Sequence, residues 1–317
     1  VAHITATGKN RNCENQSTQK LFYLCPGTKT HFMQNFFVKS HGLGNDYFVL
    51  DEAQISFSLN EINIQKLCDV HYGIGSDGIL LKVASSKADF GLKIYNPDGS
   101  EAEKSGNGLR IFAKYLYDYG HTSGKKFTIE TLGGVVTAEV SKELNGKASQ
   151  VKVDMGKAIF GSHQIPVVSD EAECLDLPLN IVDQAYHINC VSVGNPHCVI
   201  FRDKLSQAEI LKYGSEIENH PLFPNRINVQ FAKVLSRNEV EILIWERGAG
   251  YTLASGSSSC AVAAIAVKKG LTDRNLTIKM PGGTLQIDID EAWNIRMEGE
   301  VKEIASGYLS NELILEL

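Results

Sequence analysis

Two serines occupy the same kind of place in this sequence. Ser105 opens Ser-Gly-Asn-Gly and Ser255 opens Ser-Gly-Ser-Ser, 150 residues further on. Each precedes apolar residues at helical spacing: Leu109, Phe112, Ala113 and Leu116 after the first, and Cys260, Ala263, Ala264 and Val267 after the second. A helix start presents unpaired N–H groups and a positive partial charge. A glycine there lets a ligand come close to the backbone. Two such starts facing one cleft, at Gly106-Asn107 and Gly256-Ser257, would hold a carboxylate. Taken singly, each serine reads as an ordinary N-cap. Moving protons is a further demand, because a serine hydroxyl is far less acidic than a thiol, whose pKa is about 8.5. A helix N-terminus contributes about 0.3–1 kcal/mol, and roughly 2 in favourable geometry. At about 1.36 kcal/mol per pKa unit, that moves a pKa by about one or two units. A serine here therefore acts only beside a base that takes its proton.

The elements around the serines follow a repeated grammar. Short strand-like runs at Phe36 to Val38 and Tyr47 to Asp51 flank a Gly-rich turn over 41–46. Ile62 to Val70 has helical spacing, and Phe90 to Tyr95 alternates and ends in Asn96-Pro97-Asp98-Gly99, a turn. After the first Ser-Gly helix, read as amphipathic and stopped by Gly120, comes a strand–Gly-Gly–strand unit over Phe127 to Val140. The second half places strands at 150–155, 187–193, 198–201, 227–234 and 240–245. Then come Gly248-Ala249-Gly250, the second Ser-Gly helix, a stop at Gly270 and a last hairpin around Pro281-Gly282-Gly283. This predicts two similar α+β domains with a cleft between them, 33–150 and 151–306. A final strand over 312–317, within the tail 307–317, is expected to return to the first domain.

Composition narrows the partners. At 317 residues, 43% hydrophobic and 21% charged, the chain can bury a well-packed core. Its net charge of -6, without a Lys/Arg block, argues against nucleic acid or an anionic membrane as the main partner. No run approaches the roughly 20 apolar residues that span a bilayer. Residues 1–32 carry no signal-peptide core and read as an extension outside the fold, with Met33 as an alternative start and a transit peptide as the second reading. The seven cysteines are irregularly spaced and form no CxxC pair, which fits reduced cytosolic thiols and gives a metal site no support.

Five ordered motifs resemble the diaminopimelate epimerase family, over nearly all of the chain from Phe36 onward. They are Phe37-Val-Lys-Ser-His-Gly-Leu-Gly-Asn-Asp46, His71-Tyr-Gly-Ile-Gly-Ser-Asp-Gly78, Asn96-Pro-Asp-Gly-Ser-Glu-Ala-Glu103 with Gly106-Asn-Gly108, Gly194-Asn-Pro-His197, and Glu246-Arg-Gly-Ala-Gly250. The resemblance implies two pseudo-symmetric domains, each a curved mixed or antiparallel sheet around a central helix. It implies a cytoplasmic homodimer that uses neither pyridoxal phosphate nor metal and acts on a small amino-acid dicarboxylate. The reaction would convert LL- to meso-diaminopimelate, a precursor of lysine and peptidoglycan. Two cysteines on opposite faces of the substrate move the α-proton, one as thiolate base and the other as acid, and helix ends stabilise the developing charge.

Carried over by motif, Asn45, Asn96, Asn195, Asn228, Glu246 and Arg247 would contact the substrate, and Arg247 would pair with the distal carboxylate. Gly106, Asn107, Gly256 and Ser257 would hold the reacting carboxylate, and His197 and Glu246 would tune the acid/base positions. Each has a plainer reading: Asn45 and Asn96 as turn residues, His197 bonding backbone, and Glu246-Arg247 as a surface pair. Their joint occurrence at matching positions favours the functional one.

The family's two cysteine positions are Ser105 and Ser255 here. Lys104, Tyr251, Val70 and the run Ser257-Ser258-Ser259 also depart from the family pattern. The serines are either natural or introduced to trap a substrate complex, and these neighbouring departures favour the first. Competing functions are a racemase of another amino acid, a related dehydratase or isomerase using Glu246 or His197 as base, and a non-catalytic amino-acid-binding homologue. Retention of Asn228 and Arg247 favours a substrate with a second carboxylate.

Overall fold

The structure is a computed structural model that describes residues 34–317. The extension expected over 1–32 lies outside the described residues. The described residues form one compact unit. Among the described residues five α-helices cross a mixed, strand-rich framework: α1 Glu61–Cys68, α2 Gly106–Asp118, α3 Gln207–Glu218, α4 Gly256–Lys268 and the short α5 Asn311–Ile314.

The pairing of strands shows the internal repeat directly. Phe36–Gly42 pairs antiparallel with Asn45–Asp51, which runs parallel to Ile79–Val83 after α1. Ile79–Val83 pairs antiparallel with Phe90–Tyr95, which runs parallel to Lys126–Thr131 after α2. Two antiparallel steps then lead through Gly134–Leu144 to Lys147–Lys157. The second half takes the same steps. Gln184–Ser192 pairs antiparallel with Pro196–Phe201, which runs parallel to Asn228–Ser236 after α3. Asn228–Ser236 pairs antiparallel with Glu239–Glu246, which runs parallel to Asn275–Met280 after α4. Antiparallel steps through Gly283–Ile289 reach Asn294–Glu300. The last strand of each series pairs antiparallel with the other, Lys147–Lys157 with Asn294–Glu300. Position 150, expected as a boundary, therefore lies inside a strand that joins the halves.

Lys302–Tyr308 pairs antiparallel with Phe36–Gly42, so the last described strand lies against the first described one. The strand expected over 312–317 is instead α5, capped by Ser310 on the Leu313 N–H. Its Leu313 and Ile314, with Leu317, pack on the cluster around Phe48, Leu50, Ile64 and Leu67. The apolar spacing at 313, 314 and 317 is helical, and a cap sets its start.

The two Ser-Gly helices are built alike. Ser105 caps α2 by accepting from the Gly108 N–H, and Ser255 caps α4 by accepting from the Ser258 N–H. Both end at a left-handed glycine, Gly120 at φ 73° and Gly270 at φ 68°, which side chains rarely tolerate. Their apolar residues share one core cluster, with Leu109, Ile111 and Phe112 from α2 beside Cys260 to Ile265 from α4. The small side chains of α4 let strands approach it on several sides. Helix α2 departs from the amphipathic reading, for Arg110 and Lys114 are buried along with the apolar stripe. The sheet wraps the helix, and Lys114 is satisfied there by Asp118 and the Ala148 carbonyl.

Candidate active site

The N-termini of α2 and α4 meet. A Cβ placed on Gly256 would stand 3.5 Å from the Gly106 Cα and 3.0 Å from the Met297 Sδ. A Cβ on Gly106 would clash with the Met297 methyl at 2.6 Å. A side chain at either position would meet Met297 first, and the two helix backbones lie within van der Waals reach of each other. Two sets of unpaired N–H groups, with their positive partial charge, are thereby brought to one point.

The serines at these ends have different company. The Ser105 Oγ lies 3.1 Å from the Tyr47 hydroxyl and accepts from the Gly108 N–H at 3.0 Å. Ser255 accepts from the Ser258 N–H at 3.4 Å and lies 3.5 Å from the Ser257 hydroxyl, and its hydroxyl is near enough to the Glu246 carboxylate to favour the charged form of that group. Burial raises the Glu246 pKa above the ordinary glutamate value, and the Ser255 hydroxyl only partly opposes it. Glu246 is thus a stronger proton acceptor than a surface glutamate and stands where Ser255 can use it. The Tyr47 phenol is pushed up to about 12, mainly by burial.

A string of side chains leads away from the Ser105 end. Asp77 accepts from the Asn45 amide at 2.8 Å, Asn45 accepts from the Asn107 amide at 3.0 Å, and Asn107 accepts from Arg110 at 2.8 Å. Arg110 is fully buried, and among the described residues its Nε has no hydrogen-bond partner and no carboxylate pairs with it. Its other neighbour is the Met297 sulfur at 3.5 Å. Burial lowers its pKa to about 10 from 12.5. That depression corresponds to about 3 kcal/mol of destabilisation wherever the group is charged. Arg110→Met is accordingly expected to leave unfolding stability unchanged or to raise it by up to about 3 kcal/mol in urea titration. Affinity for a carboxylate ligand should fall in the same variant, because the fold then carries less positive charge beneath the two helix ends. A clear loss of stability would instead show that the guanidinium is well satisfied.

The remaining predicted residues are placed as follows. Asn195 bonds the His197 Nε2 at 2.9 Å. His197 is wholly buried, bonds neither serine, and its pKa falls to about 3, chiefly through burial. It faces Gln230, whose amide reaches Ser258 on α4. The imidazole thus braces Asn195 and is a weak proton acceptor. Asn228 bridges backbone groups, donating to the Pro196 carbonyl and accepting from the Arg247 N–H. Arg247 is exposed and holds the Asn225 carbonyl with one guanidinium nitrogen. Asn96 bonds Ser100 across its own turn and does not join the Asn45–Asn107 string. Lys104 is half-buried with no hydrogen bond among the described residues, and burial lowers its pKa against the attraction of Asp154.

No described cysteine takes over from the serines. Cys68, Cys174, Cys190, Cys198 and Cys260 are buried free thiols. Cys260, on α4, is held up at about 12 by burial despite Lys104 and Arg110 nearby. Among the described residues, no three His, Cys, Asp or Glu side chains gather as metal ligands would. Sequence reasoning missed Tyr47, Asp77, Arg110, Gln230 and Ser258. Two of them carried a sequence signal: Asp77 lies within the motif over 71–78, and Ser258 stands three residues after an N-cap, where its N–H meets the cap.

A model of the diaminopimelate epimerase family matches residues 37–161 and 189–304. The chain belongs to that family. Diaminopimelate epimerase 2 of Nostoc sp. is 49% identical over 278 residues, covering 87% of this chain and 96% of that protein. Diaminopimelate epimerase of Leptospira biflexa is 39% identical, covering 86% and 97%. Among solved structures, a hydroxyproline epimerase from Agrobacterium vitis superposes with TM-score 0.66 at 13% identity, covering 87% of this chain and 91% of that one. A predicted epimerase from Pseudomonas aeruginosa superposes with TM-score 0.60 at 18% identity, covering 87% and 99%. At such identities the likeness speaks for the fold, a sheet-dominated α+β architecture with few helices.

Proposed function

We propose that this chain interconverts LL- and meso-diaminopimelate by proton transfer at the α-carbon, without a cofactor, and so serves lysine and peptidoglycan-precursor synthesis. The observation that carries the reading is the meeting of the α2 and α4 N-termini at Gly106 and Gly256, each flanked by a hydroxyl. Backbone N–H groups of residues 106–107 and 256–257 hold the α-carboxylate and spread the charge that builds when the α-proton leaves. Ser105 and Ser255 stand on opposite faces, and Glu246 takes the Ser255 proton as that oxygen takes the substrate's. Asn45, Asn195, Asn228 and Arg247 fix the distal end, with the Arg247 fork on the second carboxylate. Asn96 has a lesser part, since its side chain is engaged in its turn. The same reading has the enzyme working as a homodimer in the cytoplasm, which sedimentation and cell fractionation check.

The test is incubation with LL-diaminopimelate in deuterated water, following α-proton loss and meso product by NMR. A Ser105→Cys/Ser255→Cys variant runs beside it. Exchange and inversion in the native chain are expected, and faster turnover in the variant, because a thiol ionises far more readily than an alcohol. Silence in the native chain with activity in the variant would make this a binding homologue with an intact pocket. Silence in both would remove diaminopimelate as substrate.

A further inference from the structure

We propose that Tyr47 is the proton source of the Ser105 face, so that the two serine hydroxyls are polarised in opposite senses, Ser105 giving a proton and Ser255 accepting one. The inference rests on the epimerase reading above. It comes from counting donors and acceptors. A serine hydroxyl has one proton and two lone pairs. At Ser105 the Gly108 N–H, which can only donate, fills one lone pair. The Tyr47 hydroxyl is buried, and Ser105 is its only hydrogen-bond partner among the described residues. A buried phenol with a single available acceptor donates to it, since the opposite choice would leave the phenol proton unsatisfied. Both lone pairs of Ser105 are then occupied, and its own proton is left to point outward.

Ser255 has the reverse arrangement. The Glu246 carboxylate has no proton to give when ionised, so Ser255 must donate to it. Its proton is committed, and its oxygen meets only two long contacts, the Ser258 N–H at 3.4 Å and the Ser257 hydroxyl at 3.5 Å, both weak enough to yield to a stronger donor. The two hydroxyls sit at equivalent N-cap positions of helices that touch at Gly106 and Gly256. The site is therefore symmetric in backbone and antisymmetric in protons.

The step balances without a further reactant. The Ser255 oxygen takes the α-proton and passes its own to Glu246, while the electron pair of the C–H bond stays on the α-carbon and its carboxylate. On the other face Ser105 gives its proton to the α-carbon and receives that of Tyr47. One proton leaves, one arrives, and the centre inverts. Glu246 ends protonated and Tyr47 ends as phenolate, and solvent carries a proton from the first to the second to reset the site. The carboxylates of Asp77, Glu246 and Asp46 near Tyr47 favour its protonated form at rest. Tyr47 acts through Ser105 and is a positioning and proton-supplying residue, not one that touches substrate.

Tyr47→Phe tests this, because it removes the hydroxyl and keeps the ring. Native and variant chains are given LL- and meso-diaminopimelate separately in deuterated water, and α-proton exchange and inversion are followed independently, with ligand affinity measured alongside. In the variant, inversion should fall at least about 100-fold from either stereoisomer. From the stereoisomer whose α-proton faces Ser255, exchange with retained configuration should persist, because that face is untouched. Native-like inversion in the variant would overturn the proposal and leave the epimerase reading standing. So would an equal fall of exchange and inversion from both stereoisomers together with lost affinity, the signature of a purely structural tyrosine. Absence of exchange and inversion in the native chain would overturn the epimerase reading, and this proposal with it.

Discussion

Glu246→Gln is expected to lower epimerisation by about 10²–10⁴-fold while leaving diaminopimelate affinity nearly unchanged. The amide keeps the size of the carboxylate and its hydrogen-bonding reach, so Ser255 stays in place, but it cannot take a proton. A serine beside it is then an alcohol without a base. The two helix ends do not compensate, because their contribution of about 0.3–1 kcal/mol, or roughly 2 at best, moves a pKa by about one or two units. The pH profile of the native chain should carry a matching mark. Glu246 must be ionised to act, and burial raises its pKa, so activity should fall on the acid side at a pH above the ordinary glutamate value. Steady-state rates and isothermal titration of the variant measure both quantities. An unchanged rate would remove Glu246 from the chemistry, and a large loss of affinity with an unchanged maximal rate would make it a binding residue only.

The frame of this site was legible because it rests on local signals. An N-cap serine, a glycine, apolar residues three and four apart and a closing glycine mark α2 and α4 in the sequence, and their repetition marks the two halves. What escaped notice depends on which side of an element faces inward. Arg110 falls between the apolar residues of α2 and reads as its polar face, yet the sheet closes around that helix and buries it. Tyr47 sits in an aromatic, β-branched run and reads as core. It is core, but its hydroxyl reaches Ser105 across 58 residues of sequence, which no local pattern encodes. Gln230 is an ordinary strand residue until the parallel pairing of Pro196–Phe201 with Asn228–Ser236 brings it near His197. His197 shows the converse, a motif residue read as a candidate base whose burial takes that capacity away.

That burial has a second consequence, in stability. Lowering the pH from 7 to 4 should destabilise the native chain by about 3 kcal/mol more than it destabilises a His197→Gln variant. The folded imidazole has a pKa of about 3 against an ordinary 6.5, so it stays neutral where the unfolded chain takes up a proton. Its stabilising effect is complete above the unfolded value and is lost as pH falls from there toward the folded one. The full span corresponds to about 5 kcal/mol. Glutamine can still donate to Asn195 and meet Gln230, so the variant should fold, and the contributions of other titrating groups cancel in the comparison. Urea unfolding of both chains at the two pH values supplies the measurement. Equal losses would mean that the imidazole becomes protonated in place, with Gln230 as acceptor. Its positive charge would then add to the carboxylate-binding end of the site at low pH. A larger loss in the native chain would fix His197 as a neutral strut for Asn195, and would leave the base's part to Glu246 beside Ser255.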